Sequence, residues 1–417
     1  MVPIFILKSF DNELQRESYS VQKSRHLSKP FVVCAPNGKI VDIYGLFPAK
    51  QNDATIIKTI MSSHRDLRQL LKPNDHIILD RGFRDAIDTL QNKYQLITHM
   101  PTCKAPNQKQ LTTEQANTSR LTTKVRYMVE VVNGKLSTLF RSNSKIHRNV
   151  TLTHALDDYR IAGAIINKFY TLHTPNANDI NIATSMKNKL TSVNRLDTIL
   201  ANHHIDRARK NFQKMTASSI PDFPHYTLDH IANNITFGPY SIKQAQGYIK
   251  ENFKTADTSI IEVYQDNNNV LGDNTTLLRA KVQSRHKNSK QYFTYITYDT
   301  TPTINNDTGS IQDWICTCHS GKRTMGPCAH ATSVISFLSH DRYSSVKKST
   351  ISIDNIYPEQ ICDESNSSSD SDVPAIANQN YDTSDTITDP EYDDNANNPV
   401  EYMTIYPDLS TFSSTTD

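Results

Sequence analysis

Between Trp314 and His330 the chain reads Trp-Ile-Cys-Thr-Cys-His-Ser-Gly-Lys-Arg-Thr-Met-Gly-Pro-Cys-Ala-His, which is Cys-x-Cys, nine residues, then Cys-x-His. Four ligand side chains so close together constrain the fold more than any other segment, because they are useful only if they converge on one point. Three thiols and an imidazole are the donor set of a tetrahedral Zn2+. In a strand, residues i and i+2 point the same way, so Cys316 and Cys318 can share an ion. Gly321 and Gly326 let the intervening loop fold back. Pro327 is predicted to open a helix whose first turn carries Cys328 and His330, with Val334, Ile335 and Leu338 packing on a sheet. The alternatives are buried thiols beside an unrelated histidine, or a redox pair; in an intracellular chain this spacing favours structural zinc. Six cysteines in 417 residues are too few for a disulfide scaffold. Cys34, Cys103 and Cys362 read as ordinary thiols, and His319 and His340 stay outside the ligand set.

The net charge of +2 conceals two opposed blocks. All 45 Lys and Arg lie at or before Lys348, together with 28 of the 43 acids, so the body carries +17 and the remainder −15. A body this basic suits a polyanion, and nucleic acid is the commonest. No apolar run approaches the roughly 20 residues that span a bilayer, so no membrane partner is expected. Met1 to Phe10 has neither a preceding basic segment nor a small-residue cleavage site, which argues against secretion. The expected location is intracellular, in the nucleus. From Asp363 onward Ser, Asp, Asn and Thr dominate, with too little apolar surface to offset the entropy of ordering. Residues 350–417 are therefore predicted to be a disordered acidic tail, serving solubility or competing with nucleic acid for the basic body.

The body reads as an α/β chain in three parts. Over residues 1–150, Phe31–Ala35 and Ile40–Tyr44 form a hairpin through Pro36-Asn37-Gly38, Asn52-Asp53 caps a helix over Ala54–Ser62, and His76–Leu79 is a buried strand ending at Asp80. A helix is predicted over Arg84–Asn92, a strand over Gln95–His99, and a long helix over Thr112–Leu139 with Val125, Met128, Val129, Val132, Leu136 and Leu139 on one face. Residues 151–219 read as a basic helical region. Residues 220–349 read as a small α+β unit with a helix over Ser241–Phe253 and strands over Thr276–Ser284, Gln291–Tyr298 and Asp313–Cys318. Gln283–Lys290 places Arg285, Lys287 and Lys290 beside the aromatic strand Tyr292–Tyr298. With Lys322 and Arg323, these cations are the candidate nucleic-acid contacts, through phosphate pairing and base stacking. The other reading of this segment is a solvated hairpin loop with its aromatic side in the core.

The Cys-x-Cys, nine residues, Cys-x-His pattern, with Gly-Lys-Arg inside it and Cys-Ala-His-Ala-Thr-Ser-Val-Ile at its end, resembles a SWIM-type zinc finger, here at 312–341. The resemblance implies Zn2+ on Cys316, Cys318, Cys328 and His330, and a DNA or protein partner. In the first part, Ile78-Leu-Asp-Arg-Gly-Phe-Arg84 and Arg126-Tyr-Met-Val-Glu-Val-Val-Asn-Gly-Lys135 resemble the second and third blocks of Harbinger-like DDE transposases. Leu46–Ala54 and Tyr19–Lys23 fit the same family, so the resemblance covers about residues 1–140. It implies a ribonuclease H-like layered domain and an Asp, Asp, Glu triad that holds Mg2+ or Mn2+ to cut and join DNA. Asp80 matches the second Asp and Glu130 the Glu. The first Asp has no match, since the family places it at or before the present Met1, on a strand central to the fold. The expectation is an incomplete ribonuclease H-like domain, inactive as written. The alternatives are an active endonuclease with an upstream Asp, and a protein-interaction adaptor working through the finger.

Overall fold

The computed structural model describes residues 4–6, 11–21, 23–144, 146–148, 151–253, 261–285, 287–301, 310–343 and 403–406. In chain order the elements of the first half are β1 (Ile4–Phe5), α1 (Asn12–Ser18), β2 (Tyr19–Ser20), β3 (Arg25–Cys34), β4 (Ile40–Pro48), α2 (Asp53–Ser63), α3 (Arg65–Leu70), β5 (His76–Leu79), β6 (Ile97–His99), α4 (Thr113–Thr138), α5 (Arg141–Ser144) and α6 (Leu152–Phe169). There follow α7 (Ala177–Lys189), α8 (Arg195–Asn202), β7 (Phe212–Met215), α9 (Leu228–His230), α10 (Tyr240–Asn252), β8 (Ile261–Tyr264), β9 (Thr275–Gln283), β10 (Gln291–Asp299), β11 (Ile311–Cys316), α11 (Ala329–Ser339) and β12 (Met403–Tyr406).

The first sheet runs β1-β3-β12-β5-β6, with β2 and β4 also paired to β3. Phe31, Val32, Val33 and Cys34 are buried in succession, so both faces of β3 are covered. The cover is apolar: Ile56, Ile57, Ile60 and Met61 of α2, Val129, Val132 and Leu136 of α4, and Ala155, Tyr159, Ala162 and Ile166 of α6 close one core with β3 to β5. Helix α6 was expected to open a separate basic region; its small inner residues pack it instead on β4, with Gly163 against Ile40 and Ile43. The helix expected over Arg84–Asn92 starts earlier, as a 3-10 turn over Arg81–Ala86 that passes into a π turn over Thr89–Lys93. The reason is Asp80, whose carboxylate caps the backbone N–H of Arg81 at 2.7 Å.

The second sheet is antiparallel, in the order β11-β10-β9-β8-β7. Side chains alternate along it: Leu278, Ala280, Val282, Ile296 and Tyr298 pack with α10 and α11, whereas Leu277 and Tyr295 pack with Leu196 and Leu200 of α8. Phe212–Met215, expected within a continuous helical region, is the edge strand of this sheet.

At 26 residues, or ~39 Å, α4 joins the two halves. Thr112 and Gln115 form its capping box. Its C-terminal half lies in the first core, while near its N-terminus the fully buried Asn117 donates to the carbonyl of Lys189 and the hydroxyl of Thr324 and accepts from the N–H groups of Thr324 and Met325.

β12 departs from the expectation of a wholly disordered tail. Its backbone lies between β3, to which it is parallel, and β5, to which it is antiparallel. The rest of 350–417 lies outside the described residues. Truncating the whole tail would therefore expose the facing edges of β3 and β5, and a cleaner test of electrostatic screening removes residues 354–394, which hold 12 of the 15 tail acids. That deletion is expected to tighten nonspecific binding to a labelled duplex. The gain should shrink with salt, as the Debye length falls from about 10 Å at 0.1 M to about 3 Å at 1 M. Identical titration curves at low salt would reduce the tail to a solubility role.

Candidate metal centre

Cys316 ends β11, pinned opposite Thr294 of β10. Two hydrogen bonds then wind the chain into a tight loop: the Cys316 N–H donates to the Gly321 carbonyl at 3.0 Å, and the Gly321 N–H to the Cys318 carbonyl at 3.1 Å. Any side chain at 321 would collide with the Cys316 carbonyl. Gly326 turns the chain back at φ +78°, a conformation glycine adopts without strain. Cys328 is the N-cap residue of α11 and His330 stands in its first turn, so the helix begins two residues after Pro327.

These elements bring the ligand atoms of Cys316, Cys318, Cys328 and His330 within 4.8 Å of one another, all buried. The His330 Nδ1 lies 3.9 Å from the Cys316 Sγ and 3.8 Å from that of Cys328. With metal–sulfur bonds near 2.3 Å and metal–nitrogen bonds near 2.0 Å, separations of this size are edges of a tetrahedron around one ion. Tyr248 and Tyr292 flank the imidazole with ring centroids 4.7 and 4.6 Å away and fix its plane. Burial raises the Cys316 thiol, and the neighbouring Cys316 and Cys328 hold Cys318 well above the ordinary thiol range. For Cys328, burial is opposed and outweighed by hydrogen bonds from Cys316, Cys318 and His330, which bring it well below. A buried set of this kind is matched by a divalent cation that neutralises several thiolates at once. Among the described residues, no other group of three or more His, Cys, Asp or Glu was found with metal-holding geometry.

The loop is tied to the rest of the molecule. Gln110 donates to the carbonyls of both Cys316 and Cys318 at 2.6 Å, and the Leu111 N–H donates to that of His319. Asn194, the cap of α8, donates to the carbonyls of Trp314 and Lys322, and the Trp314 indole donates to the Arg323 carbonyl.

The carboxylates form a second constellation. Asp80 follows β5, and Glu130 lies on α4. Between them stands Arg126, one helical turn before Glu130 and nearly buried, with Nη1 3.5 Å from Asp80 Oδ2 and Nη2 3.5 Å from Glu130 Oε1. Burial raises Glu130, an effect Arg126 opposes and Asp80 reinforces. Asp53, expected to share the capping of α2, does not cap it: Asn52 accepts the N–H of Thr55, and Asp53 is 1 % exposed and paired with Lys29 at 3.4 Å. Its Oδ2 is buried without a hydrogen-bond partner among the described residues. Burial raises its pKa, Lys29 opposes this, and the charge of Asp80 adds to it. The sequence signal for an inward-facing acid was the adjacent Asn52, which already supplies the cap.

A carboxylate raised above its ordinary 3.8 takes up its proton earlier in the folded than in the unfolded chain. Its favourable contribution is complete below the unfolded value and is lost as pH rises through the folded one. Asp53→Asn is therefore expected to gain stability over the parent as pH rises from about 4 to 7, measured as the difference between paired urea unfolding curves. A difference that does not change with pH would contradict this.

The five candidate cations separate by position. Arg285 and Lys287 are exposed at the β9–β10 turn. Lys290 sits 5.3 Å from the Tyr292 ring centre, and Lys322 pairs with Asp197 at 2.8 Å. Arg323 is 1 % exposed, and its guanidinium donates to the carbonyls of Gly326 and Pro327; it holds the loop from within and is unavailable to a phosphate. Tyr292, Tyr295 and Tyr298 are buried, so β10 turns its tyrosines into the core and offers them to no base.

Residues 2–173 match the family described as DDE superfamily endonuclease. The match extends past α6, beyond residue 140 where the block resemblance stops. No curated protein and no solved structure matches the chain. The matched segment takes in β1 to β6 and α1 to α6, so this part of the chain is similar to a DDE endonuclease domain, while β12 lies outside the match. No helix among the described residues is long and apolar enough to cross a membrane.

Proposed function

We propose that this chain, built on a DDE endonuclease family domain, is a zinc-binding protein that engages nucleic acid in the nucleus without cutting it. The observation that carries the loss of cleavage is the place of Arg126. Two-metal phosphodiester chemistry needs carboxylates converging on divalent ions, whereas Asp80 and Glu130 converge on a nearly buried guanidinium. Mg2+ or Mn2+ would have to displace that cation. The SWIM-type reading of the Cys/His cluster draws support from its four buried ligand atoms, with Zn2+ in a closed structural role. Exposed Arg285 and Lys287, on a body of +17, supply phosphate contacts.

The expected result with supercoiled plasmid in Mg2+ or Mn2+ is binding without nicking. Binding should weaken steeply with salt, because phosphate contacts release counterions; a salt-insensitive partner would instead favour the protein adaptor. Nicking abolished by Asp80→Asn would overturn the inactive reading. One observation favours such an active endonuclease: Asp53 is an inward-facing third carboxylate with an unpartnered oxygen in the field of Asp80. Under that reading Asp53→Asn also abolishes nicking.

A further inference from the structure

Helix α6 is fixed by its inner side. Ala155, Tyr159, Ala162, Gly163 and Ile166 are buried, and Asn167 pairs with the edge strand as a backbone would, accepting from the Ile40 N–H at 2.9 Å and donating to its carbonyl at 2.8 Å. Arg160 donates to the Ile43 carbonyl at 2.9 Å. So held, the helix cannot roll to hide its other face. That face carries Ile161, 58 % exposed, then Ile165, then Phe169, 75 % exposed. Single exposed apolar residues are ordinary, but at i, i+4 and i+8 these three make one continuous ridge.

The charges around the ridge identify what covers it. Asp157 and Asp158 are exposed at its N-terminal end and Lys168 at its C-terminal end. A second α6, reversed about a two-fold axis between Ile161 and Ile165, sets each Ile161 against the partner's Ile165 and each Asp158 against the partner's Lys168. Acid at the helix start and base at its end also suit the helix dipoles of an antiparallel pair. An unrelated partner would have no reason to match the spacing of both pairs about one point. We propose that α6 is the contact of a homodimer, two copies packing antiparallel through Ile161 and Ile165, with Asp158–Lys168 pairs at both ends and Phe169 at the rim. One helix from each copy makes an interface at the small end of specific ones, so the dimer is concentration-dependent.

Sedimentation equilibrium of the full chain from ~1 to ~100 μM is expected to show the mean mass rising from one chain towards two. Lys168→Asp places two acids together at each end and should shift the midpoint at least about tenfold upward; Asp158→Lys should do the same. In an isologous pair the double variant Asp158→Lys/Lys168→Asp re-creates both ion pairs and should restore the original midpoint. Both positions are exposed, so the folded state is not at stake. A chain that stays monomeric, single reversals without effect, or a double variant that stays dissociated would each overturn the proposal.

Discussion

Replacing Cys328 by Ser is expected to strip the zinc from the purified protein, which otherwise carries about one ion per chain, and to unfold the segment around 316–330. Site formation and folding are one process in structural zinc sites, with apparent binding energies of about 10–16 kcal/mol, so losing one ligand of four removes much of what closes the loop. The damage should spread. The loop carbonyls receive Gln110 and Asn194, and its N–H groups are received by Asn117; each of these amides, Asn117 and Asn194 being buried, loses partners when the loop opens. Metal analysis and hydrogen exchange of α4 and α8 check both parts. Protein isolated without zinc, or with zinc unchanged by the substitution, would refute the centre. A variant that loses zinc while α4 keeps its protection would leave the site intact as a reading and remove its role as a clasp.

The second large effect concerns Arg323. Arg323→Ala is expected to cost about 3–5 kcal/mol of stability, since it opens a cavity, takes the guanidinium from the buried Gly326 carbonyl and leaves that of Pro327 only a long bond from Thr332. Any fall in DNA affinity should then follow the loss of folded protein. Arg285→Ala and Lys287→Ala should behave oppositely: thermal stability unchanged, nonspecific duplex affinity lower, and the salt slope reduced by about one per cation removed. Unfolding and salt-titrated binding, measured on the same three variants, separate the roles. If Arg323→Ala folds normally and binds DNA less, the residue serves a ligand after all.

The sequence by itself determined the features whose physics is local. Strand periodicity is not what places Cys318, since β11 ends at Cys316 and the tight loop after it, closed on Gly321, sets its position. Even so, Cys-x-Cys and Cys-x-His each hold two ligands within three residues, so their convergence could be read from spacing. The same holds for α4, whose capping box and apolar stripe span Thr112 to Leu136, and for the hairpin at Asn37-Gly38. One boundary moved because a side chain found a use its neighbours did not announce, when Asp80 capped the following turn, and Phe212–Met215 changed from helix to strand because β8 offered it an edge. The opposed charges of body and tail were likewise plain from composition.

Only the tertiary structure decided which charged groups face inward. Arg323 and Lys322 are adjacent in sequence, yet one is buried on loop carbonyls and the other pairs with Asp197, 125 positions away. Asp53 looked like a cap and is a buried acid beside Lys29, because β3 and α2 meet there. Arg126 was visible in the block that carries Glu130, but its position between Glu130 and Asp80 depends on α4 crossing the end of β5. The seat of β12 between β3 and β5 joins residues more than 300 positions apart. Pairings of this kind are set by packing, which places groups regardless of their separation along the chain, whereas periodicity and capping report only on near neighbours.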